Sequence, residues 1–410
     1  MAAASENNPW SPEWSNAVFS LEERDRRWAK VRRLMARDSV DVIFCLPCTN
    51  SHDRGAADAR YLTQLGENSD ESVVAFPIEG PVTAWHSRGG VWPSSNWFAD
   101  IRPTPRGTGG ATATAWLNEN PRYKNGTIAI AGLDSSILAH VRSAEGEANW
   151  QSVDIIKRNL PHAKIVSATP VLGEARWRKS AEEIDFLRKG TLVAEKMLET
   201  VNRHARPGVR ERHIFAHLMY ASADADGSFQ PMIGWSTGPD GRAYHRVEQP
   251  SFRTFKNGDV FLLEIEGRWG GYIAQIDQTW GIGSATQDLQ DAIKLAFEAY
   301  HRAMAKLKPG VTVRELIDAA TFTAMNGRAK TGLGGHGRGT GDDGPLLVAG
   351  RPEPKEVLDL IIEEGCSFVI KPSVILDGIG DFARWGETVA VTATGAERLG
   401  TRPQEMRILV

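Results

Sequence analysis

The chain has 410 residues, of which 41% are hydrophobic and 24% are charged, and its formal net charge at pH 7 is −3. This composition is ordinary for a soluble globular protein and excludes fibrous, disordered and small secreted classes. The charge balance gives no basic surface for nucleic acid or anionic membrane, and no apolar run is long enough to span a bilayer. The N-terminus lacks a secretory signal and three cysteines cannot form a disulfide framework, so we expect a cytoplasmic protein.

The first part of the chain alternates helical and strand patterns. Residues 21–37 have the apolar spacing of an amphipathic helix, and short apolar runs predict strands. The predicted strands are residues 41–46, 73–78, 81–85 and 127–132, followed by a helix near 135–143. This alternation predicts an N-terminal α/β domain over residues 1–175.

The second part begins with a long helical pattern that ends before Pro207 and Gly208. The segments 205–211 and 307–315 both contain Pro-Gly-Val and precede an amphipathic helix, and this repeat predicts a duplicated α/β fold over residues 176–410. Apolar runs predict further strands at residues 229–233, 259–266, 271–280, 367–376 and 383–392. The fold class is therefore α/β, with two domains.

Seven segments match, in order, the motifs of one known family. They are residues 176–184, 238–245, 256–260, 271–279, 335–339, 367–372 and 387–392. On these segments the chain resembles the creatinase / prolidase / methionine aminopeptidase (M24-like) family. The resemblance implies a creatinase-type N-terminal domain, a catalytic domain with the pita-bread fold and its pseudo-two-fold repeat, and a homodimer.

The resemblance also locates the five metal ligands of the metal-dependent members, which are two Asp, one His and two Glu. Their positions fall on Glu264, Gln275, His336, Lys371 and Gly386. A pair of divalent ions needs several anionic oxygens. A neutral amide, an ammonium and a missing side chain do not supply them, so we expect no metal and no other cofactor, as in creatinase.

An alternative keeps one metal ion at a displaced site. Glu266 and Asp277 follow Glu264 and Gln275 by two residues, and side chains two apart on a strand face the same way. Together with His336, the three carboxylates could form a single-metal site, although Lys371 would repel the ion.

The catalytic candidates are His245, Glu264, Glu266, His336 and Lys371. The family match places His245 where creatinase-like enzymes have a catalytic histidine, and an imidazole suits proton transfer at neutral pH. Glu264 or Glu266 would orient water or substrate. Lys371 would supply part of the missing cation's charge, with a structural salt bridge as the alternative.

The substrate-binding candidates lie beside the same motifs. They are Tyr244, Arg338, Asp343, Trp235, Trp269 and Trp385. Tryptophan faces favour planar rings and cations, Arg338 would grip a carboxylate, and Asp343 would anchor a cationic group.

We therefore expect a metal-independent, creatinase-like hydrolase that cleaves a C–N bond in a small planar or cationic molecule. The second interpretation is a metal-independent lyase that breaks a C–C, C–S or C–O bond of a small aromatic substrate. The third is a non-catalytic binding protein on a peptidase scaffold. The sequence leaves open the substrate, the choice between hydrolysis and elimination, and the size of the oligomer.

Overall fold

The structure is a computed structural model that describes most of the chain. The described residues are 18–47, 56–65, 72–86, 97, 100–105, 107–139, 146–228, 232–238 and 250–410, with the backbone of 244–247. They divide into two compact units: unit 1 comprises Met1–Trp177 and Thr340–Asp343, and unit 2 comprises Arg178–Gly339 and Gly344–Val410. The first boundary lies two residues beyond the predicted one, and the segment Thr340–Asp343 was not anticipated in unit 1.

Unit 1 is built on a mixed sheet of six strands. Its elements are α1 Leu21–Arg37, β1 Val42–Cys45, α2 Ala57–Thr63, β2 Val73–Pro77, β3 Thr83–His86, β4 Asp100–Pro103, α3 Gly109–Glu119, β5 Thr127–Ile130, α4 Trp150–Asn159, β6 Lys164–Ser167 and α5 Thr169–Trp177. The sheet order is β4-β3-β2-β1-β5-β6. The predicted helix near 135–143 is wrong over its described residues, where Ser136 and Ala139 form a β-bridge.

Unit 2 carries a ten-stranded and a four-stranded sheet. Its first elements are α6 Ala181–His204, α7 Glu211–Asp224, β7 Ile233–Gly238, β8 Tyr244–Val247, β9 Val260–Trp269, β10 Tyr272–Ile282, α8 Gln287–Lys306 and α9 Val313–Ala320. Its remaining elements are β11 Thr323–Ala324, β12 Ala329–Gly332, β13 Gly335–Gly337, β14 Leu346–Leu347, α10 Lys355–Leu358, β15 Ser367–Ile370, β16 Ser373–Leu376, β17 Gly380–Arg384, β18 Gly386–Val391, β19 Ala396–Arg398 and β20 Ile408–Leu409. The large sheet has the order β14-β13-β15-β18-β10-β9-β7-β8, and the small one has the order β11-β12-β16-β17.

The repeated Pro-Gly-Val segments have the same backbone contacts. The amide of Gly208 donates to the carbonyl of Phe255, and the amide of Gly310 donates to the carbonyl of Ile362, both at 2.9 Å. The φ angles of the two glycines are +89° and +87°, a region that glycine reaches without steric cost. The predicted internal repeat is therefore present in the structure of unit 2.

Helices cover one face of the large sheet in unit 2. Side chains of α6 and α7 form one apolar core with strand residues such as Trp235, Leu263, Ile265 and Ile276. Among the described helices, none is both long and apolar enough to cross a membrane. Because strand residues alternate in facing, the residues between these apolar positions project from the other face of the sheet.

Candidate active site

The hairpin of β9 and β10 places alternating acidic and polar side chains on the face away from the helices. Its register pairs Glu264 with Asp277 and Glu266 with Gln275. The turn between the strands contains Gly270 and Gly271, whose φ angles are +55° and +78°. All four paired polar side chains are buried.

Neighbouring strands bring three further candidate positions to this hairpin. Asp277 pairs with Gly386 on β18, and His336 on β13 pairs with β15, the strand that ends just before Lys371. The backbones of Lys371 and Gly386 are in close contact, since a Cβ on residue 386 would lie 2.5 Å from the Lys371 Cα. The five positions that correspond to metal ligands are therefore adjacent in unit 2.

Lys371 contacts two of the other four residues at ligand positions. Its ammonium nitrogen Nζ lies 3.3 Å from Oε1 of Glu264 and 3.4 Å from Nε2 of His336. The opposite ring nitrogen of His336, Nδ1, lies 3.2 Å from the carbonyl oxygen of Gly337. Both contacts are satisfied when Nδ1 carries the proton and Nε2 accepts from the ammonium, so we assign His336 as the neutral Nδ1–H tautomer.

Arg384 forms a second cationic bridge in the same cluster. Its Nη1 lies 3.4 Å from Oε2 of Glu264 and 3.4 Å from Oδ1 of Asp277, and its Nη2 pairs with Asp381. Burial alone lowers the pKa of the Arg384 guanidinium, but the charges of Asp381, Asp277 and Glu264 together raise it above the ordinary value. Arg384 is therefore a permanent cation between two acidic side chains.

Glu266 belongs to a separate arm of the network. Its Oε1 lies 3.0 Å from Nη2 of Arg338, and its Oε2 lies 2.8 Å from Nη2 of Arg268. Arg338 also donates to Oε1 of Gln275, and the amide nitrogen of Gln275 donates to Asp277 at 3.0 Å. Arg338 thus contacts a protein carboxylate, and its predicted contact with a substrate carboxylate stays a prediction.

The residues present do not fit the pair of metal ions that the family resemblance implies. Four cations, from Lys371, Arg384, Arg338 and Arg268, face the carboxylates of Glu264, Glu266, Asp277 and Asp381. The carboxylates are neutralised within the network, and an ammonium stands between the first ligand position and the histidine. Removing one member of such a buried ion pair leaves an unpaired charge, which is costly.

The displaced single-metal alternative does not fit either. Each of its carboxylates, on Glu264, Glu266 and Asp277, already pairs with an arginine or a lysine. The described residues contain no group of three or more His, Cys, Asp or Glu side chains arranged to hold a metal ion. A cation at His336 would have to displace the ammonium of Lys371.

His245 and Tyr244 lie on strand β8, whose backbone alone is described. Strand β8 pairs with β7, where Tyr244 is opposite Thr237, and β7 in turn pairs with β9. The strand that carries His245 is therefore two strands away from the strand that carries Glu264. The side chains of both residues lie outside what the structure describes, so their roles stay predictions.

The tryptophan predictions require a correction. Trp235 lies in the apolar core of α6 and α7, with its indole N–H donating to Glu211 at 3.2 Å, and Trp269 lies beneath Lys189 of α6. Trp385 packs against Tyr300 of α8, with ring centroids 4.7 Å apart. All three rings lie on the helix side of the sheet, so they do not line a pocket at Glu264.

Two further acidic residues have protein partners of their own. Asp343, a predicted substrate anchor, belongs to unit 1, where its Oδ1 lies 3.3 Å from Nε of Arg176. Glu387 accepts from Tyr300 at 2.5 Å and from Nε of Arg398 at 2.5 Å, on the helix side of β18. These partners account for both carboxylates without a substrate.

Sequence reasoning selected Arg338 as the arginine of the site and did not predict the contacts of Arg384 with Glu264 and Asp277. A signal was present, because residues 383–392 were predicted as one strand, and in such a strand the side chain of Arg384 would face the same way as position 386. The ligand position at residue 386 was recognised from the family motif. Counting back two residues from it would have identified Arg384. Arg268, two residues after Glu266, follows the same rule.

Comparisons with known proteins identify the family and the fold of the chain. The model of metallopeptidase family M24 matches residues 185–393, more than half of the chain. A Xaa-Pro dipeptidase of Pyrococcus furiosus is 24% identical over 64% of this chain and 74% of its own length. An agropine synthesis cyclase of Rhizobium rhizogenes is 29% identical over 60% of this chain and 65% of its own length.

Among solved structures, a dipeptidase from Pyrococcus horikoshii OT3 superimposes with a TM-score of 0.70 at 19% identity, covering 93% of this chain and all of that one. A Xaa-Pro dipeptidase from Bacillus anthracis gives the same TM-score and covers 94% of this chain. These neighbours confirm the predicted α/β, pita-bread fold. The family match over more than half of the chain confirms the predicted family, and the chain belongs to metallopeptidase family M24.

Proposed function

We propose that this protein is a metal-independent, creatinase-like hydrolase that cleaves a C–N bond in a small molecule. Family membership supports a hydrolase. The observation that carries the proposal is the position of the Lys371 ammonium, which contacts the carboxylate of Glu264 and Nε2 of His336. A lysine nitrogen thus contacts two of the five positions that correspond to metal ligands in the metal-dependent relatives.

Fixed cations would stabilise the transition state in this proposal. Attack of water on a carbon bound to nitrogen builds negative charge on the attacked group, and preorganised donors in a buried site stabilise such charge strongly. Lys371 and Arg384 are held at Glu264 by contacts of 3.3 and 3.4 Å, so they need little reorganisation. Asp277 and Asp381 keep Arg384 in place.

Proton transfer falls to His245. Neither an ammonium nor a guanidinium can bind water and lower its pKa as a metal ion does, so a general base must take the proton. The histidine would accept this proton from the attacking water and return it to the leaving nitrogen. Its location on β8, two strands from Glu264, supports this assignment at the level of the backbone.

The expected substrate is a small molecule, without the planar or cationic character first predicted. That character was inferred from tryptophans, which lie on the helix side of the sheet, and from Asp343, which pairs with Arg176. The relative named as an agropine synthesis cyclase supports a substrate other than a peptide. The homodimer implied by the family resemblance stays a prediction.

A lyase is the second candidate, and the same relative favours it, because a cyclisation closes a ring and need not add water. His245 and a carboxylate would then remove a proton and expel a leaving group. The two candidates differ in the fate of solvent oxygen. Hydrolysis in heavy-oxygen water incorporates the label into a product, and elimination or cyclisation need not.

The test is a turnover assay in heavy-oxygen water with creatine, N-carbamoyl amino acids and Xaa-Pro dipeptides, with and without a chelator. We expect a labelled product from a non-peptide substrate at a rate the chelator leaves unchanged. Lys371→Met should lower kcat/KM by at least about 100-fold, the scale of one lost oxyanion donor. The matched control is Lys330→Met, which removes an exposed lysine of β12 and should leave kcat/KM unchanged.

Two results would contradict the proposal. One is hydrolysis that the chelator abolishes and that Mn²⁺ or Zn²⁺ restores. The other is full activity of Lys371→Met on the substrate that the wild-type protein cleaves. Turnover without incorporated label would favour the lyase.

A further inference from the structure

Unit 2 contains a cavity of about 400 Å³ that none of the candidate catalytic residues lines. Asn202 and Arg203 of α6 line it, together with Arg402 and Arg407 from the segment that follows β19. Gln278 of β10 also lines it. The volume suits a small molecule of metabolite size.

Arg402 is the buried cation of this cavity, and its guanidinium contacts only uncharged groups. Nη1 donates to Oε1 of Gln278 at 2.6 Å, and Nη2 donates to the carbonyl oxygens of Asp277, at 3.1 Å, and Gly386. The guanidinium also lies 4.2 Å from the ring centroid of Trp385. Only 6% of the residue is exposed.

The positive charge of Arg402 is not compensated locally. Within the described part of the chain, no carboxylate lies within ion-pair distance of its guanidinium, and its Nε has no hydrogen-bond partner. Glu387, Asp277 and Glu195 act on it only from a greater distance, and burial lowers the pKa of Arg402 to about 10. An unpaired buried charge is costly, and an anionic ligand would relieve that cost.

The other charges of the cavity leave room for an anion. Both carboxylate oxygens of Glu195 are occupied, by the backbone N–H groups of Thr401 and Arg402 and by the Thr401 hydroxyl. Arg203 is exposed, forms no ion pair with another described residue and adds a second positive charge. Glu199, the second carboxylate of the cavity, is paired with Lys196 at 3.4 Å, and Arg407 is paired with Glu405.

We propose that this cavity binds a small oxyanion, a carboxylate or a phosphate, on Arg402 and Arg203. The proposal is independent of the reaction that the candidate active site catalyses. Nη2 of Arg402 holds the carbonyls of Asp277 and Gly386, and the side chain of Asp277 contacts Arg384. An anion that draws the guanidinium toward the cavity would therefore act on the backbone beneath the active site.

Binding is tested by calorimetry and thermal unfolding with inorganic phosphate and with succinate, against sodium chloride at matched ionic strength. We expect one saturable site for at least one of the two oxyanions and none for chloride. The two arms separate a phosphate from a carboxylate ligand.

Two variants locate the site without removing the buried Arg402. Arg203→Met removes an exposed charge and should weaken binding by about 10-fold, the size of one charge-assisted hydrogen bond. Leu198→Phe adds volume at the cavity wall and should weaken binding similarly. The control Arg33→Met removes an exposed arginine of α1 and should bind as the wild-type protein does.

The proposal fails if phosphate and succinate act no differently from chloride. It also fails if Arg203→Met and Leu198→Phe both retain wild-type affinity while their unfolding temperatures show a folded protein.

Discussion

At position 371 a lysine stands where metal-dependent relatives are expected to carry a glutamate. The exchange changes the local charge from −1 to +1, so one residue both removes a ligand and adds a competitor for the ion's place. The ammonium contacts Glu264 and His336 and lies in a buried environment. In the proposed mechanism this ammonium supplies part of the positive charge that metal ions supply in metal-dependent relatives.

Gly386 is the position at which restoration of a ligand is sterically hardest. A Cβ there would lie 2.4 Å from Cβ and 2.5 Å from Cα of Lys371, and the backbone atom cannot move away by a rotamer change. We expect Gly386→Ala to lower the free energy of unfolding by about 1–3 kcal/mol, the usual cost of overpacking. Urea unfolding followed by circular dichroism measures this change.

The matched control is Gly395→Ala, since a Cβ on Gly395 would meet no atom within 4 Å. Its effect should stay within about 0.5 kcal/mol, as for other surface substitutions. Equal stabilities of the two variants would show that the strands beside Gly386 separate easily.

At the level of single residues, the sequence predicted positions better than partners. Motif spacing located Glu264, Gln275, His336, Lys371 and Gly386, and the structure brings these five together. The tryptophans were misassigned because proximity to a motif in sequence does not decide which face of a strand a side chain occupies. Counting alternate positions from Glu264 would have placed Leu263 and its partner Trp235 on the helix side.

At the scale of elements, the start of α9 gives a pH-dependent contribution to stability. Glu315 accepts from the backbone N–H of Thr312 at 3.0 Å and pairs with Lys306 at 2.9 Å. The Thr312 backbone bond, followed by Lys306, lowers the pKa of Glu315 from 4.5 to about 2. A lowered pKa in the folded state means that the carboxylate stabilises the protein above pH 4.5 and that this contribution disappears as the pH falls toward 2.

We therefore expect Glu315→Gln to be less stable than the wild-type protein at pH 7, with the difference shrinking between pH 4.5 and pH 2. Urea unfolding across this range gives the two stability curves. Glu356→Gln, on the exposed face of α10, serves as the control that should follow the wild-type protein. If the stability difference between the wild-type protein and Glu315→Gln grows as the pH falls, the folded state does not favour the charged form of Glu315 as we expect.

Strand boundaries were harder to predict than strand positions. The apolar run at residues 367–376 indicated one strand, and the structure has two, β15 in the large sheet and β16 in the small one. The break occurs at Lys371 and Pro372, where proline lacks the N–H that a continuous ladder requires. The turn between β9 and β10, by contrast, was predictable, because adjacent glycines favour a turn that needs positive φ. Gly270 and Gly271 both have positive φ in the structure.

For the whole molecule, we expect thermal stability that does not depend on divalent ions. A ligand present at 100 times its Kd stabilises a protein by about 2.7 kcal/mol, which corresponds to a shift of several degrees in Tm. Calorimetric scans with a chelator and with added Mn²⁺ should agree within about 1 °C. A rise of several degrees with Mn²⁺, reversed by the chelator, would indicate a resident metal site.

The short segment Thr340–Asp343 makes unit 1 discontinuous along the chain. Asp343 pairs there with Arg176, and the Thr340 carbonyl accepts from Arg60 at 2.6 Å. A fragment truncated at the end of α5 would lack a buried carboxylate and a buried acceptor that its own arginines use. A version of unit 1 expressed alone should therefore retain Thr340–Asp343, joined to the rest of the unit by circular permutation or as a grafted loop.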